Sequence, residues 1–204
     1  MSKWLKKEGE EVLIKGFWES FFSDLFIKKN RFKYKESLFM NFPGDLGLWL
    51  RYHFLKSNFK KIGLNVRIWP GIRIKHPNNM EIGDRVQLGY NNHYQANGGI
   101  IIKEDTILGP EVNIWTMNHI YSDLNKPINT QGYEKKQVVI GKDCWITTKC
   151  FILPGAVIPD KCVVLPNSVV GIIKIPEGSI IGGNPAKVIG NRATIGRFSK
   201  FKKD

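Results

Sequence analysis

Four histidines, at 53, 76, 93 and 119, and three cysteines, at 144, 150 and 162, are side chains that could carry acid-base, covalent or metal chemistry. Imidazole changes charge between about pH 5 and 8, so a positioned histidine can take a proton at working pH. Zinc would need clustered ligands such as C-x-x-C, and a β-helical zinc enzyme would need a close histidine pair; no C-x-x-C and no H-x4-H occurs. An acyl-enzyme would need an exposed thiol of depressed pKa. The cysteines stand six and twelve residues apart, which points to a place in a repeat.

That repeat is explicit from Ile140 onward. Ile140, Ile146, Ile152, Ile158, Val164 and Val170 recur every sixth residue, and Cys144, Cys150, Ala156, Cys162 and Ser168 keep step four places later. A helix repeats near 3.6 residues and a strand near 2, so a sustained period of six means short strands joined by regular turns. Such hexads mark a parallel β-helix whose stacked coils bury a continuous core. The large aliphatic points inward and the small residue fills the tight inner turn, so the cysteines are packing groups. The same phase runs through Ile62, Ile68 and Ile74, then Ile82 and Leu88, then Ile102, Leu108 and Ile114. Twenty-six residues separate Ile114 from Ile140, not a multiple of six, so a polar loop leaves the coil at about 119–138. Loops on rigid scaffolds are where function concentrates.

The elements around the repeat follow. Residues 1–61 are aromatic and basic, with 13 Lys and Arg against 7 Asp and Glu, and read as one or two amphipathic helices broken at the Pro and Gly of "NFPGDLG". Residues 62–185 form the β-helix, and residues 186–204 a short basic tail. The net charge of +13 is thus concentrated at the ends. The N-terminal aromatics either cap the open end of the solenoid or lie as an interfacial helix on an anionic membrane; one helix could serve both ends. No stretch approaches the roughly 18–20 apolar residues of a membrane span, and "MSKWLKKEGEE" lacks the apolar core of a signal peptide, so a cytoplasmic protein is expected, with peripheral attachment as the membrane option.

The motifs "VVIGKDCWI", "ILPGAVIPD", "NSVV" and "GGNPAKVIG", with a histidine in "NH" ahead of the loop, resemble the hexapeptide-repeat acetyltransferases of the maltose, galactoside and nodulation-factor type and their polysaccharide O-acetyltransferase relatives. The resemblance covers roughly residues 62–190. It implies a left-handed β-helix, a homotrimer, and acetyl-CoA as acetyl donor in the groove between subunits, with no metal. Acetyl transfer to a hydroxyl needs a base, because an alcohol is a poor nucleophile at neutral pH. His119, ending the hexad "IWTMNH" where the loop departs, aligns with the family's catalytic histidine. His53 in the aromatic segment and His76 beside Pro77 read as packing or solvated residues.

The resemblance further places Trp145 beside the pantetheine arm, with Thr148, Pro166 and Ser168 meeting it through backbone or hydroxyl. Lys174, Lys187 and Arg192 are placed to meet the CoA phosphates, or are solvated surface. On the acceptor side it points to Asn91 and Asn97, with Asn97 where sugar-specific members carry Asp. Tyr94, Trp115 and Tyr121 could stack on a sugar or pack in the core. The chain departs from the family pattern at Thr147 in "WIT", at Pro166 and Asn167 in "LPNS", and in "GIIK". The implied reaction is direct O-acetylation of a sugar hydroxyl on a polysaccharide, glycolipid or oligosaccharide. N-acetylation of an amino-sugar nucleotide is the alternative on the same scaffold. A nonenzymatic basic scaffold for nucleic acid fits the charge but leaves the loop and "GGNPAK" unexplained, so no nucleic-acid partner is expected.

Overall fold

The computed structural model describes residues 28–194 together with Gly16, Trp18, Phe21, Phe22 and Phe26. Helices α1 (Lys28–Phe39) and α2 (Gly44–Leu55) precede a solenoid of short parallel strands. The strands stack into three sheets that form the sides of a triangular prism. The first sheet runs through Lys61–Ile62, Met80–Ile82, Ile100–Ile102, Val138–Ile140 and Val157–Ile158. The second runs from Arg67–Ile68 through Gln87–Leu88, Ile107–Leu108, Trp145–Ile146 and Val163–Val164 to Ser179–Gly183. The third holds Arg73–Lys75, His93–Gln95, Asn113–Trp115, Phe151–Ile152 and Val169–Val170. The described strand Ala186–Asn191 pairs antiparallel with Ser179–Gly183, so the segment expected as a tail begins inside the second sheet.

The hexad phase is the burial pattern. Ile68, Leu88, Tyr94, Ile114, Ile140, Ile146, Ile152, Ile158, Val164 and Val170 are all fully buried. The slot four residues later is buried after every strand of the first sheet and of the second as far as Val163–Val164, with residues as different as Val86, Asn92, Thr106, Ser168 and the cysteines, and at Ala156 after Phe151–Ile152 of the third. Three residues after the inward aliphatic the backbone turns through positive φ: Asn65, Arg85, Asn91, Asp105, Glu111, Asp143, Lys149, Lys161 and Asn167 adopt it, and Gly71 and Gly155 stand at the same place. Non-glycine residues enter this region only at a cost. Here the coil repeat imposes it, because each corner N–H must meet the carbonyl of the coil below, as Asn91 does with Pro70, Glu111 with Tyr90 and Lys149 with Pro110.

The two helices close the first coil, whose outer edge would otherwise present unpaired backbone groups. One side chain serves each face. Tyr52 Oη donates to Gly63 O at 2.9 Å, Arg51 Nε donates to Ile68 O at 2.6 Å, and the Ile74 N–H donates to Glu36 Oε1 at 2.6 Å. Leu55, Met40, Phe32 and Phe59 add apolar cover. Among the described residues no helix is long and apolar enough to cross a membrane.

Candidate active site

The expected loop leaves the solenoid where the third sheet turns into the first. Its root is fixed by Thr116, fully buried, whose hydroxyl donates to Gln95 O at 2.7 Å and accepts the Gly98 N–H at 2.7 Å. Beyond it Met117–His119 and Tyr133–Lys135 pair as an antiparallel hairpin, an arm standing out from the prism. The arm is internally bonded: Gln131 Nε2 donates to Asp123 O at 2.8 Å and Lys126 O at 2.9 Å. His119 ends the outgoing strand, exposed, directly opposite Tyr133, and the two rings lie 4.3 Å apart.

Asn97 stands on the same edge. Its Nδ2 donates to Met117 Sδ at 3.2 Å and its carbonyl accepts from Asn79 Nδ2 at 3.3 Å, which sets it against the first residue of the His119 strand. The edge between second and third sheets carries Asn91, Thr148 and Pro166 on the corner ladder. Thr148 Oγ1 donates to Pro110 O at 3.1 Å and Asn167 N–H to Thr148 O at 3.1 Å. Of the expected donor and acceptor contacts of a single chain, Asn91, Thr148 and Pro166 thus fall on one and Asn97 on the other of the two edges that bound the third sheet. A side six residues long, from Asn91 to Asn97, spans up to about 20 Å.

The remaining expected residues are spread further. Trp145 is half exposed on the outer face of the second sheet, between Ile107 and Val163. Lys187 is exposed on the final strand opposite Gly182. Lys174 is exposed two residues past Ile172, which reaches Gly155. Arg192 lies on the third edge, between first and second sheets, where its Nη1 meets Asp143 Oδ2 at 2.9 Å. Ser168 is fully buried: its hydroxyl donates to Leu165 O at 2.6 Å and accepts the Gly183 N–H at 3.2 Å. Its hydroxyl is therefore a coil-closing group like the cysteines and faces no groove. Thr147 is likewise turned inward, donating to Val164 O at 2.7 Å. Tyr94 occupies an inward slot, with its hydroxyl accepting from Asn92 Nδ2 at 2.8 Å, so it packs the core and faces no sugar. Trp115 and Tyr121 are exposed.

The thiols all point inward and donate to carbonyls of the next coil: Cys144 to Pro159 at 3.0 Å, Cys150 to Leu165 at 3.2 Å and Cys162 to Pro176 at 3.6 Å. Burial pushes the Cys144 thiol up to about 12 and raises Cys150 and Cys162 as well, the reverse of an activated nucleophile. Among the described residues no group of three or more His, Cys, Asp or Glu could hold a metal ion. His53 packs its ring on Trp49 at 4.2 Å, and His76 sits in the left-handed region before Pro77.

Known proteins share the fold of this solenoid. Over 150 residues the chain is 31% identical to WcaF of Escherichia coli strain K12, named for colanic acid biosynthesis and acetyltransferase activity, covering 74% of this chain and 79% of that protein. The chain belongs to the hexapeptide-repeat acetyltransferases. The crystal structure of a maltose O-acetyltransferase from Clostridium difficile 630 superposes with a TM-score of 0.72 at 26% identity, over 80% of this chain and 86% of that one. A galactoside acetyltransferase in complex with coenzyme A superposes with a TM-score of 0.73 over 87% of this chain and 86% of that one; at 22% identity it speaks for the fold. No protein-family model matches the chain.

Two features of the site escaped the sequence. Tyr133, the ring behind His119, is fourteen residues away along the chain and meets it only through the hairpin register. Thr116 looks like any polar residue at a loop entrance, and only burial marks it as the anchor.

Proposed function

We propose that this acetyltransferase moves the acetyl group of acetyl-CoA to a hydroxyl of a sugar in a polysaccharide, glycolipid or oligosaccharide, with His119 as general base. The observation that carries the reading is His119 itself: an exposed imidazole backed by Tyr133 at the root of an ordered arm that a rigid solenoid holds in place. The names of its relatives, with colanic acid biosynthesis and maltose among them, support the substrate class, and the coenzyme A complex of the galactoside enzyme supports the donor.

In this mechanism a ring nitrogen of His119 accepts the acceptor hydroxyl proton as the oxygen attacks the thioester carbonyl. The C–S bond then breaks, the acetyl ester remains on the sugar, and the CoA sulfur leaves as thiolate to be protonated by the imidazolium. Direct transfer is favoured because the three thiols are buried and hold their protons. A homotrimer supports the geometry. Contacts that lie on two edges of one prism come within reach of one ligand when the edge of a second copy faces the arm of the first. Leu124, 95% exposed, and Ile128, 55% exposed, give that arm apolar surface for a neighbouring copy to cover.

The test is acetyl-CoA consumption by the purified trimer against oligosaccharide, lipid-linked and nucleotide-sugar acceptors, with product analysis to separate ester from amide. His119→Ala should keep its fold and its acetyl-CoA affinity while kcat falls roughly a hundred- to ten-thousand-fold, the usual range for a lost general base. Turnover within about threefold of the wild type would remove His119 from the mechanism.

A further inference from the structure

A recess of about 540 Å³ opens on the outer face of the third sheet, between α1 and the first two coils, and the proposed acetyl transfer leaves it without a role. Arg73 and Lys75 project into it from the first strand of that sheet, and His93 from the second, directly beside Arg73 in the parallel register. Glu36 is the one carboxylate among its described lining residues, and its Oε1 already accepts the Ile74 N–H at 2.6 Å. Arg73 and Lys75 are exposed, and among the described residues no carboxylate pairs with either. Several other cations of the coil are matched: Arg85 with Asp105, Lys142 with Glu104, Lys161 with Glu177. Burial and the two neighbouring cations hold His93 below its ordinary pKa, as expected where positive charge is crowded without a counter-ion.

The position of the recess gives it a role. It is lined by Gly71, over which the side chain of Asn91 sits, so it is continuous with one expected acceptor contact. The strand carrying His93 is followed in the sheet by Asn113–Trp115, which leads into the arm of His119. With strands about 4.8 Å apart, the Arg73 rung lies on the order of 10 Å from the rung where the arm departs. Trp115 meets the His93 ring edge-on at 6.1 Å along this path.

We propose that the acceptor is anionic, and that Arg73, Lys75 and His93 bind its carboxylate or phosphate while the hydroxyl to be acetylated lies further along the third sheet toward the arm. This rests on the acetyl-transfer reading above and narrows its substrate class. A fixed anion at this distance would spend binding energy remote from the reacting atoms on orienting the hydroxyl. Arginine offers a planar fork to either anion, and lysine a point charge.

The decisive measurement is equilibrium binding to the full chain, by calorimetry at low salt, of methyl glucoside, methyl glucuronide and glucose 1-phosphate. The charged sugars should bind about ten- to a hundredfold more tightly than the neutral one, with an advantage that shrinks as salt rises. The glucuronide and the phosphate arms separately report which anion fits better. Arg73→Gln with Lys75→Gln should erase the advantage and leave methyl glucoside and acetyl-CoA binding unchanged; both residues are exposed, so the fold should tolerate the pair. Equal affinity for all three sugars, or an advantage that survives in the folded double variant, would overturn the proposal. Absence of acetyl transfer to any carbohydrate would count against the reaction and not against this site, because binding is read without turnover.

Discussion

Burial of the cysteines is a property that can be titrated. Each thiol fills the inner corner of a coil and keeps its proton, so the native state holds protons at a pH where the unfolded chain has begun to lose them. Below the ordinary thiol value of 9.0 both states are protonated and the thiols add nothing to the pH dependence. Between 9.0 and about 12 the unfolded thiol ionises while that of Cys144 does not, so stability should fall as pH rises. Thermal unfolding from pH 7 to 10.5 should therefore decline less steeply in Cys144→Ala, and an unchanged slope would contradict the assignment. Replacing all three cysteines by alanine, the residue that already fills the slot at 156, should cost a few kcal/mol at most and spare transfer. Loss of turnover in a folded triple variant would instead point to thiol chemistry.

Among the elements, the helical cap depends on one residue out of proportion to its size. Arg51 is fully buried, with Nε on Ile68 O and Nη1 within 2.7 Å of Phe42 O and 3.3 Å of Phe39 O, and it has no carboxylate partner among the described residues. It joins the turn between α1 and α2 to the first coil. Hydrogen bonds from a charged donor contribute about 1.5–3 kcal/mol, and truncation leaves the carbonyls buried and unpaired. Arg51→Ala should therefore cost roughly 2–4 kcal/mol and lower Tm by about 4–16 °C. Lysine should recover less than half, since it cannot reproduce the fork. Gly47→Ala should act in the same direction, because a Cβ there would strike the Phe42 carbonyl and lie 3.0 Å from Arg51 Nη1. A Tm within 2 °C of wild type for Arg51→Ala would show that apolar contacts of the cap suffice.

On the scale of the whole molecule, the proposed trimer and the membrane reading make separable predictions. Light scattering should give three times the 23.4 kDa chain mass, and Leu124→Asp with Ile128→Asp should weaken assembly without unfolding the solenoid, since both side chains are exposed in one chain. A monomer that retains full activity would rule out a shared site. Near the N-terminus Trp18, Phe21, Phe22 and Phe26 form a run of ring contacts at 5.6 to 6.2 Å, all exposed. Trp4 and Phe17, aromatics of the same basic N-terminal segment, lie outside the described residues. Flotation with anionic vesicles should retain the protein at low salt and release it as salt screens the lysines. If no binding occurs at low salt, only the capping role is left for this segment.

The six-residue period alone determined the solenoid, the inward phase of every coil, the place of the cysteines and the point where the arm leaves, because each is a local consequence of stacking identical short strands. The motif order around the loop pointed to the family. What periodicity could not carry is what meets across the prism. Three edges and three faces look alike in a hexad, so only the stacked coils separate Asn97 and His119 on one edge from Thr148 and Pro166 on another. The resemblance put the Ser168 hydroxyl or backbone in the groove while its hexad slot put it inside, and the fold buries it fully, because the slot that fits a small side chain faces inward. The pairing of His119 with Tyr133, the bond of Arg51 to Ile68 and the approach of His93 to Arg73 all join residues at least fourteen apart, and such contacts exist only once the chain has closed on itself.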